Sequence, residues 1–434
     1  MCALTAITGF KDVLPSEAPL WRLVEEKARD VVRRFDFAEL RPPVMERLEL
    51  FQRGIGQTTD IVEKEMYAVK GRGEDENFAL RPEATAGMVR ALLEHHLHEG
   101  GRPAKIFCLG PMFRCERPQK GRLRQFNQLD VEVFNDPGPL ADAEVAALLH
   151  TFLHELGIPG LSVSLNSLGC AECRPSYRES LVAYLEARSS SLCEDCRRRL
   201  QRNPLRVLDC KNESCREAAA GAPVLSEYLC GACRDHFGLV LDSLASLGVP
   251  HRRDERLVRG LDYYTRTAFE VHSDMLGAQS AMAGGGRYDG LCRELGGPDI
   301  PAVGFAVGLE RLIMLLQQMS PPPAPGPDYY LAALAPEALG PAFLLAQRLR
   351  SLGLGVAADW ESGSLKSRLR RADKARAARV VMLGADELAG GVGLVRDLAA
   401  GVQKKIPLDR PDLFALEAAR ETGTPEETGA PVSG

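Results

Sequence analysis

The chain lacks any apolar run long enough to span a membrane, and its first residues lack the basic segment and apolar core of a secretion signal. It also lacks an excess of positive charge, since the formal net charge is -5. No internal repeat is present. We therefore expect a protein of the cytoplasm with no membrane-spanning part. Any contact with RNA must come from local basic patches, because the overall charge does not favour nucleic acid.

Cysteine is abundant: the chain has twelve, and eight of them lie between residues 168 and 236. A reducing compartment excludes a disulfide framework, and the close spacing points to metal instead. Two pairs brought together form the tetrahedral Cys₄ site that Zn²⁺ prefers. Free thiols in a helical insertion are the alternative, and the spacing leaves open which pairs combine. We predict structural zinc in one or two sites built from Cys170 with Cys173, Cys193 with Cys196, Cys230 with Cys233, and Cys210 with Cys215.

A proline-rich stretch divides the chain, because residues 320–327 have the composition of an extended linker. Before it, helical patterns at 20–35 and 85–97 separate strand patterns, which indicates an α+β fold with a largely antiparallel sheet. After it, strands alternate with helices, which indicates a small α/β domain. The predicted division is a first domain of residues 1–167 and 237–320, a cysteine-rich insertion at 168–236, a linker at 321–327, the α/β domain at 328–415 and a disordered tail at 416–434.

A predicted hairpin carries the first group of polar residues. Residues 113–116 read Phe-Arg-Cys-Glu, and a loop broken by proline and glycine joins them to a strand at 125–134. On that strand Gln128, Asp130 and Glu132 share one face, because side chains alternate along a strand. The loop contains Lys and Arg but no acidic residue. The residue types leave open whether this face meets solvent or an anionic ligand that also carries cationic groups.

Two further segments combine polar and aromatic residues. Residues 81–85, Arg-Pro-Glu-Ala-Thr, precede a predicted helix and also fit ordinary helix-start chemistry. Residues 257–264 contain Arg259 and the adjacent tyrosines Tyr263 and Tyr264. If that segment is extended, the two tyrosines point to opposite faces, so we expect at most one to line a pocket. A buried aromatic with an ion pair between Arg259 and Asp262 is the alternative.

Glycine marks the last two segments. Residues 284–289 read Gly-Gly-Gly-Arg-Tyr-Asp, and glycines let a backbone approach a ligand or another chain closely. Residues 304–312 indicate a strand that bends at glycines into an amphipathic helix, with Arg311 near the start of the helix. Cations are disfavoured at helix N-termini, so this arginine favours an anionic partner such as a phosphate.

In this order, the segments resemble the three signature motifs of class II aminoacyl-tRNA synthetases. Pro43 is similar to the proline of motif 1, residues 113–126 resemble motif 2, and residues 304–311 resemble motif 3. Residues 117–122, 259–264 and 284–289 resemble stretches peculiar to histidyl-tRNA synthetases. The likeness runs from about Gly9 to about Pro411. Ala84 is a departure, because that family usually has glycine there.

The resemblance implies a class II synthetase catalytic domain with an antiparallel sheet, the cysteine-rich insertion and a C-terminal anticodon-binding domain at 328–415. It implies a homodimer with the motif 1 proline at its interface. It also implies activation of L-histidine with ATP, carried with Mg²⁺, to histidyl-adenylate and pyrophosphate, and transfer of histidine to the 3′ end of tRNA(His). Residues 364–379, with seven Lys or Arg against the single acidic Asp373, suit an RNA backbone.

The resemblance also implies roles for individual residues. The catalytic residues are Arg259 and Arg114. The ATP-binding residues are Arg114, Glu116, Phe126 and Arg311, with the adenine between Phe126 and Arg311. The histidine-binding residues are Glu83, Thr85 and Gln128 at the α-ammonium, Glu132 and Tyr264 at the imidazole, Tyr263 at the pocket wall, and Arg259 at the carboxylate. The tRNA acceptor end meets Arg117, Gln119 and Arg124.

Two other functions compete with this interpretation. A synthetase-like regulatory subunit of ATP phosphoribosyltransferase shares the fold without aminoacylation, but such paralogues lack the anticodon-binding domain and usually lose motif residues. A zinc-dependent nucleic-acid-binding protein explains the cysteine pairs and none of the other motifs.

Overall fold

The computed structural model describes residues 4–56, 59, 61–73, 76–119, 121–259, 263–276, 281–319, 326–361 and 363–419. Most of the predicted linker at 321–327, the loop residue Lys120, residues 260–262 and residues 420–434 of the predicted tail lie outside the described residues. The chain forms two compact units, Met1–Pro321 and Pro322–Gly434. In the part that the structure describes, no helix is both long and apolar enough to cross a bilayer.

The first unit contains the predicted antiparallel sheet. Its strands are β1 (Ala38–Glu39), β2 (Met45–Arg47), β3 (Tyr67–Lys70), β4 (Asn77–Leu80), β5 (Ala104–Phe113), β6 (Gln125–Phe134), β7 (Leu161–Ser167), β8 (His251–Arg253), β9 (Thr265–Ser273), β10 (Ala283–Arg287) and β11 (Ala302–Gly308). Eight of them form one sheet in the order β1-β5-β6-β11-β10-β9-β7-β8. From β5 through to β7 in this order, neighbouring strands are antiparallel. Each edge strand is parallel to its neighbour, β1 to β5 and β8 to β7. A small sheet, β2-β4-β3, stands apart.

The helices of the first unit are α1 (Ala18–Arg34), α2 (Leu48–Gly54), α3 (Thr85–Glu94), α4 (Pro139–Glu155), α5 (Arg174–Glu186), α6 (Glu194–Arg202), α7 (Glu213–Ala219), α8 (Gly231–Ser246), α9 (Leu291–Glu294) and α10 (Leu309–Gln318). Apolar side chains of α1, α4, α8 and α10 form one core with the large sheet. The β6 residues Leu129, Val131 and Val133 point into this core and are fully buried. Because side chains alternate along a strand, the polar residues of β6 lie on the opposite face.

The cysteine-rich insertion is helical, with α5, α6 and α7 joined by short turns. Its apolar residues Leu181, Leu185 and Leu200 join a second core that also contains Met88 of α3. Helix α8 begins inside the insertion and continues without a break to Ser246. The boundary predicted between residues 236 and 237 therefore falls within one helix, and the insertion and the sheet share α8.

The second unit has the elements β12 (Tyr329–Ala333), α11 (Leu339–Ser351), β13 (Val356–Ala358), α12 (Leu365–Lys374), β14 (Arg379–Leu383), α13 (Ala385–Ala389), β15 (Val392–Asp397), β16 (Gln403–Pro407) and α14 (Pro411–Ala419). The sheet order is β13-β12-β14-β15-β16, with β12 parallel to both neighbours and the last two strands antiparallel. Residues 416–419 were predicted to be disordered, and this was wrong: they complete α14, where Phe414 and Ala418 are buried against the sheet.

Candidate active site

Glycines in the large sheet leave room for charged side chains close to its backbone. Glu132 on β6 lies opposite Gly304 on β11, which lies opposite Gly286 on β10. A Cβ atom at Gly304 would collide with the Glu132 carboxylate, and one at Gly284 with the Arg259 guanidinium. These strands therefore form a floor on which two charged side chains lie close to the backbone. The sequence predicted that the glycine-rich segment approaches a ligand or another chain, and in the structure its glycines lie against neighbouring strands and side chains of the same chain.

Glu132 and Glu83 are buried carboxylates that accept hydrogen bonds from neighbouring donors. The Thr85 hydroxyl donates to Glu132 Oε1 at 2.7 Å, and the Tyr288 hydroxyl donates to Oε2 at 2.5 Å. Burial raises the pKa of Glu132 to about 8. Glu83 accepts the backbone N–H groups of Thr85 and Ala86, each at 2.9 Å, and burial raises its pKa as well. Sequence reasoning did not assign Tyr288, although its segment was identified.

The same face carries acceptors that have no donor. Both carboxylate oxygens of Asp130 and the Oε1 atom of Gln128 are buried, and within the described ranges they have no hydrogen-bond partner. Burial, followed by the negative charges of Glu132 and Glu83, holds the pKa of Asp130 well above its usual range. A buried acceptor without a partner is costly, so this face suits a ligand that brings N–H donors or a positive charge. The solvent interpretation of this strand face is wrong.

Tyr263 and Tyr264 lie in one aromatic cluster. Their ring centroids are 4.7 Å apart, and both rings contact Tyr288, at 5.3 and 6.5 Å. The two tyrosines were expected to point to opposite faces of an extended chain, and this was wrong, because their rings are in contact. The two residues lie in the turn before β9, where the alternation of a strand does not apply.

Arg259 is partly buried beside the floor. Its Nη1 atom donates to Glu270 Oε1 at 2.5 Å, and its guanidinium lies 5.6 Å from the centre of the Tyr264 ring. Its Nε atom is buried and has no partner among the residues that are described. Burial opposes the charge, but Tyr264 and Glu270 together hold the pKa of Arg259 above its ordinary value. Asp262, the alternative ion-pair partner, lies outside the described residues, and the structure pairs Arg259 with Glu270.

A second group of charged residues gathers around the hairpin loop. The Arg114 guanidinium lies 5.2 Å from the centre of the Phe126 ring, and its Nε donates to the Pro82 carbonyl at 3.0 Å. Glu116 Oε2 is 3.4 Å from Arg122 Nη1. The hairpin therefore places a cation against an aromatic ring, and its loop brings a second cation beside the Glu116 carboxylate.

Arg311 lies in the first turn of α10 and donates from Nη1 to the Ala281 carbonyl at 2.7 Å. Burial, together with the nearby positive charge of Arg122, lowers the pKa of Arg311. Two arginines that repel each other at a helix N-terminus are stabilised by an anion placed between them. Arg122 was not assigned individually from the sequence, and its position beside Arg311 depends on how the loop folds back.

The three loop residues expected at the tRNA end differ in accessibility. Arg117 and Gln119 are exposed, and the backbone of Gln119 forms a bridge with Arg122. Arg124 instead donates from its guanidinium to the carbonyls of Glu116 and Thr8, at 3.2 and 3.3 Å. Arg124 therefore also holds the N-terminal segment against the hairpin.

The eight cysteines of the insertion form two groups of four. Cys170, Cys173, Cys230 and Cys233 form the near cluster, and Cys193, Cys196, Cys210 and Cys215 form the far cluster. In each cluster the Sγ atoms lie within 4.8 Å of one another. Tetrahedral coordination at a Zn–S distance of about 2.3 Å separates sulfurs by about 3.8 Å, so both clusters could hold a metal ion. The spacing left open which cysteine pairs combine. In the structure Cys170 and Cys173 combine with Cys230 and Cys233, and Cys193 and Cys196 combine with Cys210 and Cys215.

Comparison with known proteins identifies the family. The model of the histidyl-tRNA synthetase family matches residues 9–312. The chain belongs to the histidyl-tRNA synthetase family. A separate model, the anticodon binding domain, matches residues 329–411. The predicted fold class, an α+β catalytic domain followed by an α/β anticodon-binding domain, is confirmed.

Individual members of the histidyl-tRNA synthetase family are similar over nearly their whole length. The histidine–tRNA ligase of Nitratidesulfovibrio vulgaris (strain DP4) is 50% identical over 410 residues, which is 94% of this chain and 97% of that protein. The histidine–tRNA ligase of Geobacter sulfurreducens is 47% identical over 412 residues, 95% of this chain and 99% of the other. The solved structure of S. aureus histidyl-tRNA synthetase matches with a TM-score of 0.80 at 31% identity, covering 95% of this chain and 100% of that one.

Ala84 departs from the glycine that histidyl-tRNA synthetases usually have, and the backbone accommodates it. Its φ of -97° lies in the ordinary right-handed region, and its side chain is fully buried in the second core. An alanine therefore introduces no backbone strain between Glu83 and Thr85.

The basic segment of the anticodon-binding domain has fewer free charges than its sequence suggests. Arg368 is buried and donates to Asp359 at 3.0 Å, and Arg379 is buried with Nε 3.9 Å from Asp397. Asp359 also accepts from Arg371 at 2.8 Å. Five of the seven basic residues remain exposed, namely Lys366, Arg370, Arg371, Lys374 and Arg376.

Proposed function

We infer that the chain is a histidine–tRNA ligase that activates histidine with ATP and transfers it to tRNA(His). The observation that carries this inference is the set of buried acceptors without donors on β6, close enough to Arg114 for its charge to act on Asp130 and Glu83. The acceptors suit a cationic amino acid with ring N–H groups, and the arginine suits a polyphosphate. Membership of the histidyl-tRNA synthetase family and the relatives named histidine–tRNA ligase support the same function. We propose the cytoplasm as its compartment.

The pocket would bind histidine through its two polar ends. Glu83, Thr85 and Gln128 would accept hydrogen bonds from the α-ammonium, and Glu132 would accept one from the imidazole. Tyr264 would contact the second ring nitrogen, and Tyr263 would shape the wall. A buried ring nitrogen without a partner costs about 1–3 kcal/mol, so this set rejects apolar side chains of similar size.

ATP would bind at the hairpin and at α10. Arg114 and Arg311 would hold its phosphates, while Phe126 and Arg311 would enclose the adenine. Glu116 would accept a hydrogen bond from the adenine amino group. Mg²⁺ carried with ATP would neutralise charge on the β- and γ-phosphates.

Activation requires no general base, because the histidine carboxylate is already the nucleophile. A carboxylate oxygen forms the new bond to the α-phosphorus, the bond to the bridging oxygen breaks, and pyrophosphate leaves with its electron pair. Arg259 would contact both the carboxylate and the α-phosphate, where negative charge accumulates. Arg114 would hold the α-phosphate from the other side. Catalysis then depends on positioning and on neutralisation of charge.

We propose that the tRNA meets both units of the chain. Arg117, Gln119 and Arg124 would contact the acceptor end, and the exposed cations of α12 would contact the RNA backbone. The proposed division keeps residues 1–167 and 237–320 as the catalytic domain and 168–236 as the insertion, which share α8. Residues 321–327 stay the proposed linker, and the anticodon-binding domain extends from 328 to the end of α14 at Ala419.

Removal of residues 328–434 should spare most histidine-dependent ATP–pyrophosphate exchange, because the first unit has its own cores. Charging of tRNA(His) should fall by about a hundredfold, because phosphate contacts contribute much of RNA affinity. Both activities are measured on the shortened chain. Lys366→Glu with Arg370→Glu in the full chain provides a folded control that should reduce charging only. Equal loss of exchange and charging in the shortened chain would show that the second unit is needed for catalysis.

A homodimer is proposed from the motif 1 resemblance. Pro43 and Val44, just before β2, and Met45, its first residue, are exposed, and β2 is an edge strand of the small sheet. Exposed apolar residues on an unpaired edge suit an interface between two copies.

We propose that both cysteine clusters bind Zn²⁺ as structural sites. Elemental analysis of protein purified without added metal or chelator should find about two zinc ions per chain, since each cluster has four thiols. Cys193→Ser with Cys196→Ser should halve the zinc content and lower the melting temperature. Protein with less than about a tenth of a zinc ion per chain and freely titrating thiols would refute zinc binding.

ATP–pyrophosphate exchange tests the function against its nearest rival. We expect exchange that depends on histidine and not on other amino acids. A regulatory subunit of ATP phosphoribosyltransferase would give no exchange and would instead alter that transferase when mixed with it. A folded, Mg²⁺-supplied protein without exchange contradicts the ligase assignment.

A further inference from the structure

The near cluster adjoins the segment that carries Tyr263 and Tyr264. The Gly169 carbonyl, next to Cys170, accepts the Thr265 hydroxyl and the Arg266 N–H, each at 3.0 Å. The Leu168 N–H donates to the Arg266 carbonyl at 2.5 Å. Three hydrogen bonds therefore connect the residues just before the cluster to the residues just after Tyr264.

Arg174 provides a second connection. It directly follows Cys173, and its guanidinium donates to the Leu168 carbonyl at 3.1 Å and also to the Tyr264 carbonyl. The Cys173 Sγ atom accepts the Cys230 N–H at 3.2 Å. Movement of the Cys173 thiol would therefore shift the start of α5. Arg174, which donates to the Tyr264 carbonyl, would shift with it.

Gly169 makes this connection tight. Its φ of +63° lies in the left-handed region, and a Cβ atom there would come within 2.8 Å of the Cys173 Cβ. The turn thus brings the chain directly against the cluster.

The far cluster is attached elsewhere. The Cys193 N–H donates to Cys215 Sγ at 3.1 Å, and Arg197 donates to the Leu192 carbonyl at 2.9 Å. Arg202, at the end of α6, forms an ion pair with Glu63 at 2.9 Å. These contacts lie within the insertion or reach the segment at 61–65. Arg256 also donates to the Ala219 carbonyl of α7 at 2.9 Å, so this half of the insertion contacts the chain before Arg259, and none of these contacts reaches the backbone of Tyr264.

We propose that a zinc ion in the near cluster positions Tyr263 and Tyr264 for histidine binding, whereas a zinc ion in the far cluster only stabilises the insertion. This inference rests on the proposed zinc sites and on the proposed role of the pocket. Four thiolates bound to one ion fix the positions of residues 168–174. The hydrogen bonds described above then restrict the positions of the two tyrosines. Without the ion the thiols are free to separate, so histidine affinity falls while the ATP site is unaffected.

Matched double variants test the two roles. Cys170→Ser with Cys230→Ser alters the near cluster, and Cys193→Ser with Cys210→Ser alters the far one. Both pairs are half-buried and have Sγ atoms 4.0 Å apart. Each variant should retain about one zinc ion per chain. The near variant should weaken histidine binding, measured by calorimetry without ATP, by about fivefold, the value of one hydrogen bond. Its KM for ATP should not change, and the far variant should show a lower melting temperature with normal histidine affinity.

Arg174→Lys weakens the second connection, made by the guanidinium, without touching a thiol. It should retain about two zinc ions per chain and still weaken histidine binding about fivefold. This variant also keeps the proposal testable if the near variant does not fold. Equal histidine affinity in the near and far variants, or a normal affinity in Arg174→Lys, overturns the proposal. Zinc-free wild-type protein refutes the zinc sites, and zinc-loaded protein that lacks histidine-dependent exchange refutes the proposed function instead.

Discussion

Arg259→Ala is expected to lower the rate constant of histidyl-adenylate formation by about a thousandfold, with a much smaller effect on histidine binding. The side chain is partly buried, and in the described part of the chain its buried Nε has no partner, so it can donate to a reacting group. Its charge matters most when the α-phosphate is pentacoordinate. Single-turnover measurements of adenylate formation separate this step from binding.

Two controls accompany this variant. Arg259→Lys keeps the charge but loses the planar fork, so it should give an intermediate rate constant. Glu270→Gln tests the 2.5 Å contact by which Glu270 Oε1 positions Arg259 Nη1. It should lower the rate constant much less than Arg259→Ala does. If Arg259→Ala raised only the KM for histidine, Arg259 would be a simple binding residue.

Glu132→Gln is expected to lower kcat/KM for histidine by about a hundredfold, because a hydrogen bond to a buried charged group contributes up to about 3 kcal/mol. The carboxylate accepts from Thr85 and Tyr288 and has capacity left for the imidazole N–H. The amide N–H group of glutamine would face the hydroxyl of Thr85 or Tyr288, which is itself a hydrogen-bond donor. Steady-state exchange kinetics measure the loss, and Tyr288→Phe, which keeps the carboxylate, should be affected by only about tenfold.

The pH profile of histidine binding checks the same residue. Burial raises the pKa of Glu132 to about 8, so the empty pocket holds a proton on this carboxylate at neutral pH. Binding that requires the ionised form should tighten as the pH rises from 7 through 8. Glu132→Gln should remove this dependence. An unchanged profile in the variant would show that another group titrates.

The hairpin was predictable because its pattern is local. Alternation along residues 125–134 and the breaks at Pro118 and Gly121 gave the bounds that β6 has in the structure. Helix α4 was not predicted, because its residues are apolar on most sides and give no amphipathic period. The tyrosine pair was misjudged for a related reason: a short turn, which the spacing does not reveal, sets its geometry.

The features that the sequence did not predict depend on contacts between residues that are far apart in the chain. The hydroxyl of Tyr288 meets Glu132 across 156 positions of sequence, so no local pattern could link them. The pairing of the cysteines likewise depends on the fold, since Cys170 and Cys230 are separated by 60 positions. Asp359 neutralises part of the basic segment from outside it, which the charge count within 364–379 could not anticipate.

Charging of tRNA(His) by the purified full chain tests the central claim most directly. With ATP, Mg²⁺ and labelled histidine, the label should appear on tRNA(His), should depend on ATP, and should be absent when another tRNA is supplied. The Arg259→Ala variant, prepared in parallel, should leave the tRNA nearly uncharged. Histidine-dependent exchange without any charged tRNA, or charging with a different amino acid, would contradict the account.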